Sequence, residues 1–222
     1  MKRTSARQLL VTLVPALVVL AAISVLRLVF DVPLFTMTGD VNAIARIHPL
    51  AGFLSSLGAL VWCVTASVCL FAATILRRTE LRSTFWFLLS SGLLSAYLLL
   101  DDLFQFHEDL ADRYFGLPEE AIIAALGTAL VVYFITFRHD IGRTDFGILL
   151  LAVGFFAASV FIDDFLEGAV PNGYGVDFLE DGAKWLGIVC WCSYFARTSY
   201  QLVVGASRHP TSNAGPQPDS LL

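Results

Sequence analysis

Residues 83–102 read STFWFLLSSGLLSAYLLLDD: eighteen positions without a charge, closed by two adjacent aspartates. A helix rising 1.5 Å per residue carries that uncharged run across about 27 Å, close to the roughly 30 Å of hydrocarbon in a bilayer. Uncharged runs of similar length occupy residues 8–26, 49–76, 121–137 and 146–162. A sixth apolar segment, at about 178–204, has an uncharged core of only twelve residues, 185–196, so it must carry charge into or against the bilayer. The expected fold is all-α, a polytopic membrane bundle of six transmembrane helices. The spans are expected at about 8–30, 49–76, 83–104, 119–137, 146–167 and 178–204, within one domain covering 1–206. The remainder, 207–222, is rich in Pro, Ser, Asn and Gly and is expected to be a disordered cytoplasmic tail.

Composition agrees with this pattern. The 222 residues are 57% hydrophobic and 15% charged, with a mean hydropathy of +0.73, which excludes a water-soluble globular domain. The net charge of −5 offers no basic patch for nucleic acid. Lys2, Arg3 and Arg7 precede the first run as in a secretory signal, but the apolar stretch outlasts the roughly 7–15 residues of a signal core, so an uncleaved first helix is expected. Cys63, Cys69, Cys190 and Cys192 all fall within spans and read as small apolar packing residues.

The basic residues set an orientation. Ten of fourteen (Lys2, Arg3, Arg7, Arg77, Arg78, Arg82, Arg138, Arg143, Arg197 and Arg208) fall at the termini and alternate connections, the positive-inside pattern of a helical protein of a bacterial inner membrane with both termini in the cytoplasm. That side keeps only four of the nineteen acids, leaving +6 within and −11 outside.

An internal repeat is expected between the third and fourth spans and the fifth and sixth. At an offset of 62, Asp101-Asp102 and Gly92 superpose on Asp163-Asp164 and Gly154; at an offset of 61, Glu119-Glu120 and Tyr133-Phe134 superpose on Glu180-Asp181 and Tyr194-Phe195. Both hairpins start and return on the same side, so the repeat is parallel, and such repeats enclose functional sites at their interface.

The acids closing the outward spans carry the candidate site. A helix that ended at Asp101-Asp102 or Asp163-Asp164 would set carboxylates against the negative end of its own dipole. Either something cationic compensates there, or the helices continue outward, which aligns Asp101 with Gln105, Glu108 and Asp112, and Asp163 with Glu167, in carboxylate stripes. Asp102 lies nineteen residues beyond Ser83, roughly 28 Å up the helix and so at the outer edge of the hydrocarbon. Lys184 stands four residues after Glu180 and three after Asp181, spaced for an ion pair on one helix. Glu119 and Glu120 follow Pro118 and read as first-turn acids, while Ser55, Ser56, Gly58, Ser90, Ser91, Gly92 and Ser95 read as small positions for close helix approach.

Three functions fit these features. The first is a metal-dependent, hydrolase-like enzyme acting at the outer leaflet on a lipid or isoprenoid. Its ligands for a divalent ion (Zn, Mn or Ca) would come from Asp101, Asp102, His107, Glu108, Asp163, Asp164, Glu167, Glu180, Asp181 and His48, and its catalytic groups would be Asp102, Glu108, Asp164 and Lys184. It lacks the paired-histidine helix motifs of known metal enzymes. The second is a proton- or cation-coupled carrier, favoured by acids at matching depth. The third is an accessory subunit that meets a membrane protein partner, or a second copy of itself, through its acidic outer face.

Overall fold

The structure, a computed structural model, describes residues 6–77, 82–106, 111–166 and 174–208. Among the described residues there are nine helices and no strands: α1 (Ala6–Phe30), α2 (Leu34–Thr38), α3 (Val41–Ala45), α4 (Phe53–Leu76), α5 (Arg82–Phe104), α6 (Ala111–Phe115), α7 (Glu119–Gly142), α8 (Gly147–Leu166) and α9 (Tyr174–Arg208). Stretches within α1, α4, α5 and α7 are long and apolar enough to cross a membrane: Leu13–Phe30, Phe53–Leu76, Arg82–Phe104 and Glu120–Gly142. The apolar part of α8, Gly147–Asp163, is shorter. α9 has 35 residues, roughly 52 Å of helix, with Asp177, Glu180 and Asp181 near its start and Arg208 at its end. From His209 onward the expected tail lies outside the described residues.

The chain divides into two units, Met1–Gly52 and Phe53–Leu222. In the first, α1 runs through Pro15 without a break and ends at Asp31, whose φ is 51°. Two short helices follow. Asp40 caps α3 by accepting from the Ala43 N–H at 3.0 Å, and Asn42 Nδ2 donates to the Pro49 carbonyl at 3.0 Å, gathering residues 42–51 into a tight turn.

In the second unit α4 and α9 form the centre. The buried face of α4 includes Gly58, Trp62, Thr65, Cys69, Ala72 and Leu76, recurring at alternating four- and three-residue intervals, and its alanines let neighbouring helices approach closely. α5 packs on one side of α4 and α9 on the other, with α8 against α9. Two glycines mark the closest approaches. A Cβ at Gly92 would sit 2.7 Å from the Leu70 side chain, and one at Gly187 would sit 2.8 Å from the Phe156 ring. Aromatic rings fill the space between helices: Trp62 stacks on Phe156 at 5.9 Å, and Trp191 meets Phe195 at 5.0 Å.

The contacts fix the directions of these helices. Leu70 faces Gly92 and Gly58 faces Asp102, so α4 and α5 are antiparallel. Gly58 faces Ile188, Trp62 meets Trp191, and Ser199 Oγ lies 3.9 Å from Cys69 Sγ, so α4 and α9 are parallel. Tyr133 bonds Ser91 and Asp140 bonds Ser83, so α7 runs antiparallel to α5. Phe156 faces Gly187, while Asp145, just before α8, pairs with Arg197, so α8 opposes α9. The five long helices of this unit therefore alternate in direction along the chain.

Polar groups inside the bundle are satisfied by one another. Ser91 Oγ and the Tyr133 hydroxyl lie 2.6 Å apart, the Trp191 indole donates to Ser95 Oγ at 3.1 Å, and Thr144 and Tyr194 share a 2.7 Å hydrogen bond. Among the described residues no buried side-chain polar atom lacks a partner. Such bonds fix helix pairs within apolar surroundings, each worth on the order of 1 kcal/mol. α7 is held through its second half, by Tyr133 and by Asp140, which accepts from Ser83 Oγ at 2.9 Å; none of residues 120–132 is buried.

The residues matched in the expected repeat have different surroundings. Gly92 is pressed against Leu70, whereas nothing approaches a Cβ at Gly154 within 4 Å. Asp101 is buried, whereas Asp163 is exposed.

Candidate functional site

The last turns of α5 bring the two adjacent aspartates into the bundle. Consecutive helical positions point about 100° apart, so Asp101 and Asp102 face different neighbours. Asp101 is buried. Asp102 faces α4 and α9, and Lys184, in the third turn of α9, reaches across to it: Nζ lies 2.7 Å from Oδ1. The Asp102 side chain is only 7% exposed and that of Lys184 39%, so the carboxylate is enclosed while the ammonium keeps contact with the outside.

The second carboxylate oxygen is turned toward α4. A Cβ built on Gly58 would stand 3.5 Å from Asp102 Oδ2 and 3.2 Å from Ile188 Cδ1, so the missing side chain at residue 58 leaves space beside this oxygen. The opening is a crevice of about 40 Å³ walled by Ser55 and Gly58 of α4, Asp102 of α5, and Asp181, Lys184 and Trp185 of α9. One water needs about 10–15 Å³ by this measure, so the space suits a few waters or a small ion. Ligand pockets for drug-sized molecules are about ten times larger.

Two carboxylates, Asp102 and Asp181, face one ammonium in this crevice, which leaves one negative charge in excess. Glu180, half-buried, occupies the preceding position of α9. The arrangement has the chemistry of a site for a proton or small cation, in which Lys184 already serves as the internal counter-ion.

The structure thus brings together Asp102, Asp181 and Lys184 of the residues singled out from the sequence, with Asp101 and Glu180 in adjoining positions. Asp163 is exposed on α8 and does not line the crevice. His48 belongs to the other unit and is exposed; its Nδ1 accepts from the Leu50 N–H at 3.2 Å. His107, Glu108, Glu167 and the side chain of Asp164 lie outside the described residues. Among the described residues no three His, Cys, Asp or Glu side chains gather closely enough to hold a metal ion.

Gly58 and Ser55 line the crevice, and charge patterning alone does not reveal them. Their signal was the Ser55-Ser56-x-Gly58 run, which reads equally well as a close-packing motif, and packing is half of what it does. No curated protein and no solved structure matches the chain. Residues 10–198 match a family described as a domain of unknown function, DUF8692, and the chain belongs to that family.

Proposed function

We propose that this protein is a six-span membrane protein with both termini in the cytoplasm, and that it binds a proton or small cation at an acidic crevice near its extracytoplasmic face as a coupled carrier. The observation that carries this reading is the placement of Lys184 against the enclosed Asp102, with Asp181 and the space beside Gly58 in the same small crevice. Alternating helix directions support the topology, and ionisable groups at membrane depth commonly mark ion pathways. The volume of about 40 Å³ accommodates a proton or small ion with a few waters.

Lys184 supplies a mechanism for exchange. When a cation or proton takes its place on Asp102, the ammonium can turn to Asp181, three residues earlier on its own helix, so that neither charge is stranded. The exchange breaks the clamp between α5 and α9 and so links occupancy to helix position. The tandem match between the two hairpins fits a carrier built from related halves, the first providing the lysine-paired aspartate.

The test is reconstitution in liposomes containing a pH-sensitive dye, with Na⁺ or K⁺ gradients imposed. Wild-type protein is expected to move protons against one of these gradients, and Asp102→Asn to abolish the movement. Absence of flux under every gradient, together with a melting temperature indifferent to cations, would refute the proposal.

A further inference from the structure

We infer that residues 34–50, the connection between α1 and α4, lie within the headgroup layer of a lipid bilayer. Both helices are among those long and apolar enough to cross a membrane, so the connection leaves one apolar span at Phe30 and enters the next at Phe53. It is therefore tethered at a bilayer boundary by both ends.

Its side chains suit that layer. Phe35 is 65% exposed, Val41 74%, Ile47 50% and Leu50 65%, while Asp40, Arg46 and His48 are the ionisable residues of the segment. A connection standing in water would cluster its apolar groups inward and present polar ones. Here the apolar side chains stay outside, and even Ile44, which lies against Gly39, is 37% exposed.

The backbone is prepared for a medium poor in hydrogen-bond partners. Gly39 N–H donates to the Phe35 carbonyl at 2.9 Å, Ile44 to Asp40 at 2.9 Å, Ile47 to Asn42 at 3.1 Å and Ala51 to His48 at 2.9 Å. Asn42 Nδ2 takes up the Pro49 carbonyl and the Asp40 side chain the Ala43 N–H. Internal satisfaction of this kind is what an apolar environment demands, and short helices with an apolar outer surface settle about 5–10 Å into the headgroup boundary. The occupant of this surface is lipid.

The experiment uses the unmodified full chain in phosphatidylethanolamine–phosphatidylglycerol vesicles doped with a phospholipid carrying a diazirine near the acyl carbonyl. Photolysis and peptide mass spectrometry are expected to place label on Phe35, Val41, Ile47 and Leu50, several-fold above that at Asp40. Parallel hydroxyl-radical footprinting reads exposure to water. Label confined to α1 and α4, with heavy oxidation of 34–50, would mean that the segment stands in water; neither label nor oxidation would mean that protein covers it. Either result overturns the inference. As a second variant, Leu50→Asp is expected to reduce lipid label at Ile47 at least twofold, and unchanged label would also count against it.

Discussion

Replacing Lys184 with methionine removes the ammonium while keeping a long apolar stem against α9. Asp102 then stays enclosed, 7% exposed, without its 2.7 Å partner. Breaking a buried ion pair on one side costs about 3–5 kcal/mol, and breaking an exposed one costs about 0–1 kcal/mol. With one partner enclosed and the other 39% exposed, the expected cost lies between these limits, at about 2 kcal/mol. For a chain of this size that corresponds to a loss of roughly 4–8 °C in melting temperature. Asp102→Asn should cost less, about 1 kcal/mol, because Lys184 keeps access to water and to Asp181. The double variant should resemble Asp102→Asn alone, giving a coupling energy of about 2 kcal/mol. The assay is thermal unfolding of the four proteins in one detergent, repeated across pH and across Na⁺ and K⁺ concentrations. If Asp102 is a site for exchange, acid or one of the cations should selectively restore Lys184→Met, since a proton or ion then takes the place of the ammonium. Additive single effects would refute the ion pair as a stabilising contact. Coupling without restoration would leave a structural clamp and remove the ground for exchange.

Three further outcomes follow from the same geometry. Gly58→Leu should fill the crevice beside Asp102 Oδ2 and abolish any cation-dependent shift in melting temperature at an overpacking cost of about 1–3 kcal/mol, whereas Gly58→Ala, whose Cβ meets Ile188 Cδ1 at 3.2 Å, should retain the shift. Ser91→Ala should destabilise more than Tyr133→Phe in thermal unfolding, because the first strands a buried phenol hydroxyl at about 1–3 kcal/mol, while the second leaves Ser91 still bonded to the Phe87 carbonyl at 2.6 Å. Gly92→Ala should destabilise through its 2.7 Å approach to Leu70, and Gly154→Ala, open on that side, should be neutral or slightly stabilising; equal effects would show that the matched glycines are equivalent after all.

The sequence by itself determined the helices and the placement of charge along them. Uncharged runs such as 83–100 are local features, and a chain facing hydrocarbon satisfies its backbone most simply as helix, so four membrane-length helices and an all-helical chain were legible without coordinates. Asp102, Asp181 and Lys184 were legible as candidates for a related reason: charge next to a long apolar run is costly enough to stand out. Their grouping was not. Spacing along α9 offered Lys184 the partners Glu180 and Asp181, but contact with Asp102 depends on how α5 and α9 cross, and no local period encodes that crossing. The tertiary structure also decided what Gly58 is for. Its lack of a side chain matters only because Asp102 and Ile188 arrive opposite it from helices more than forty residues away in sequence. The same holds for the matched aspartates, where sequence symmetry survives but environment does not: Asp101 is buried at the end of α5 and Asp163 exposed at the end of α8. Hydropathy is summed along a chain, whereas a site is made by the few side chains that packing brings face to face, and here α4 and α9, parallel and closely approached, supply the walls around the carboxylate of α5.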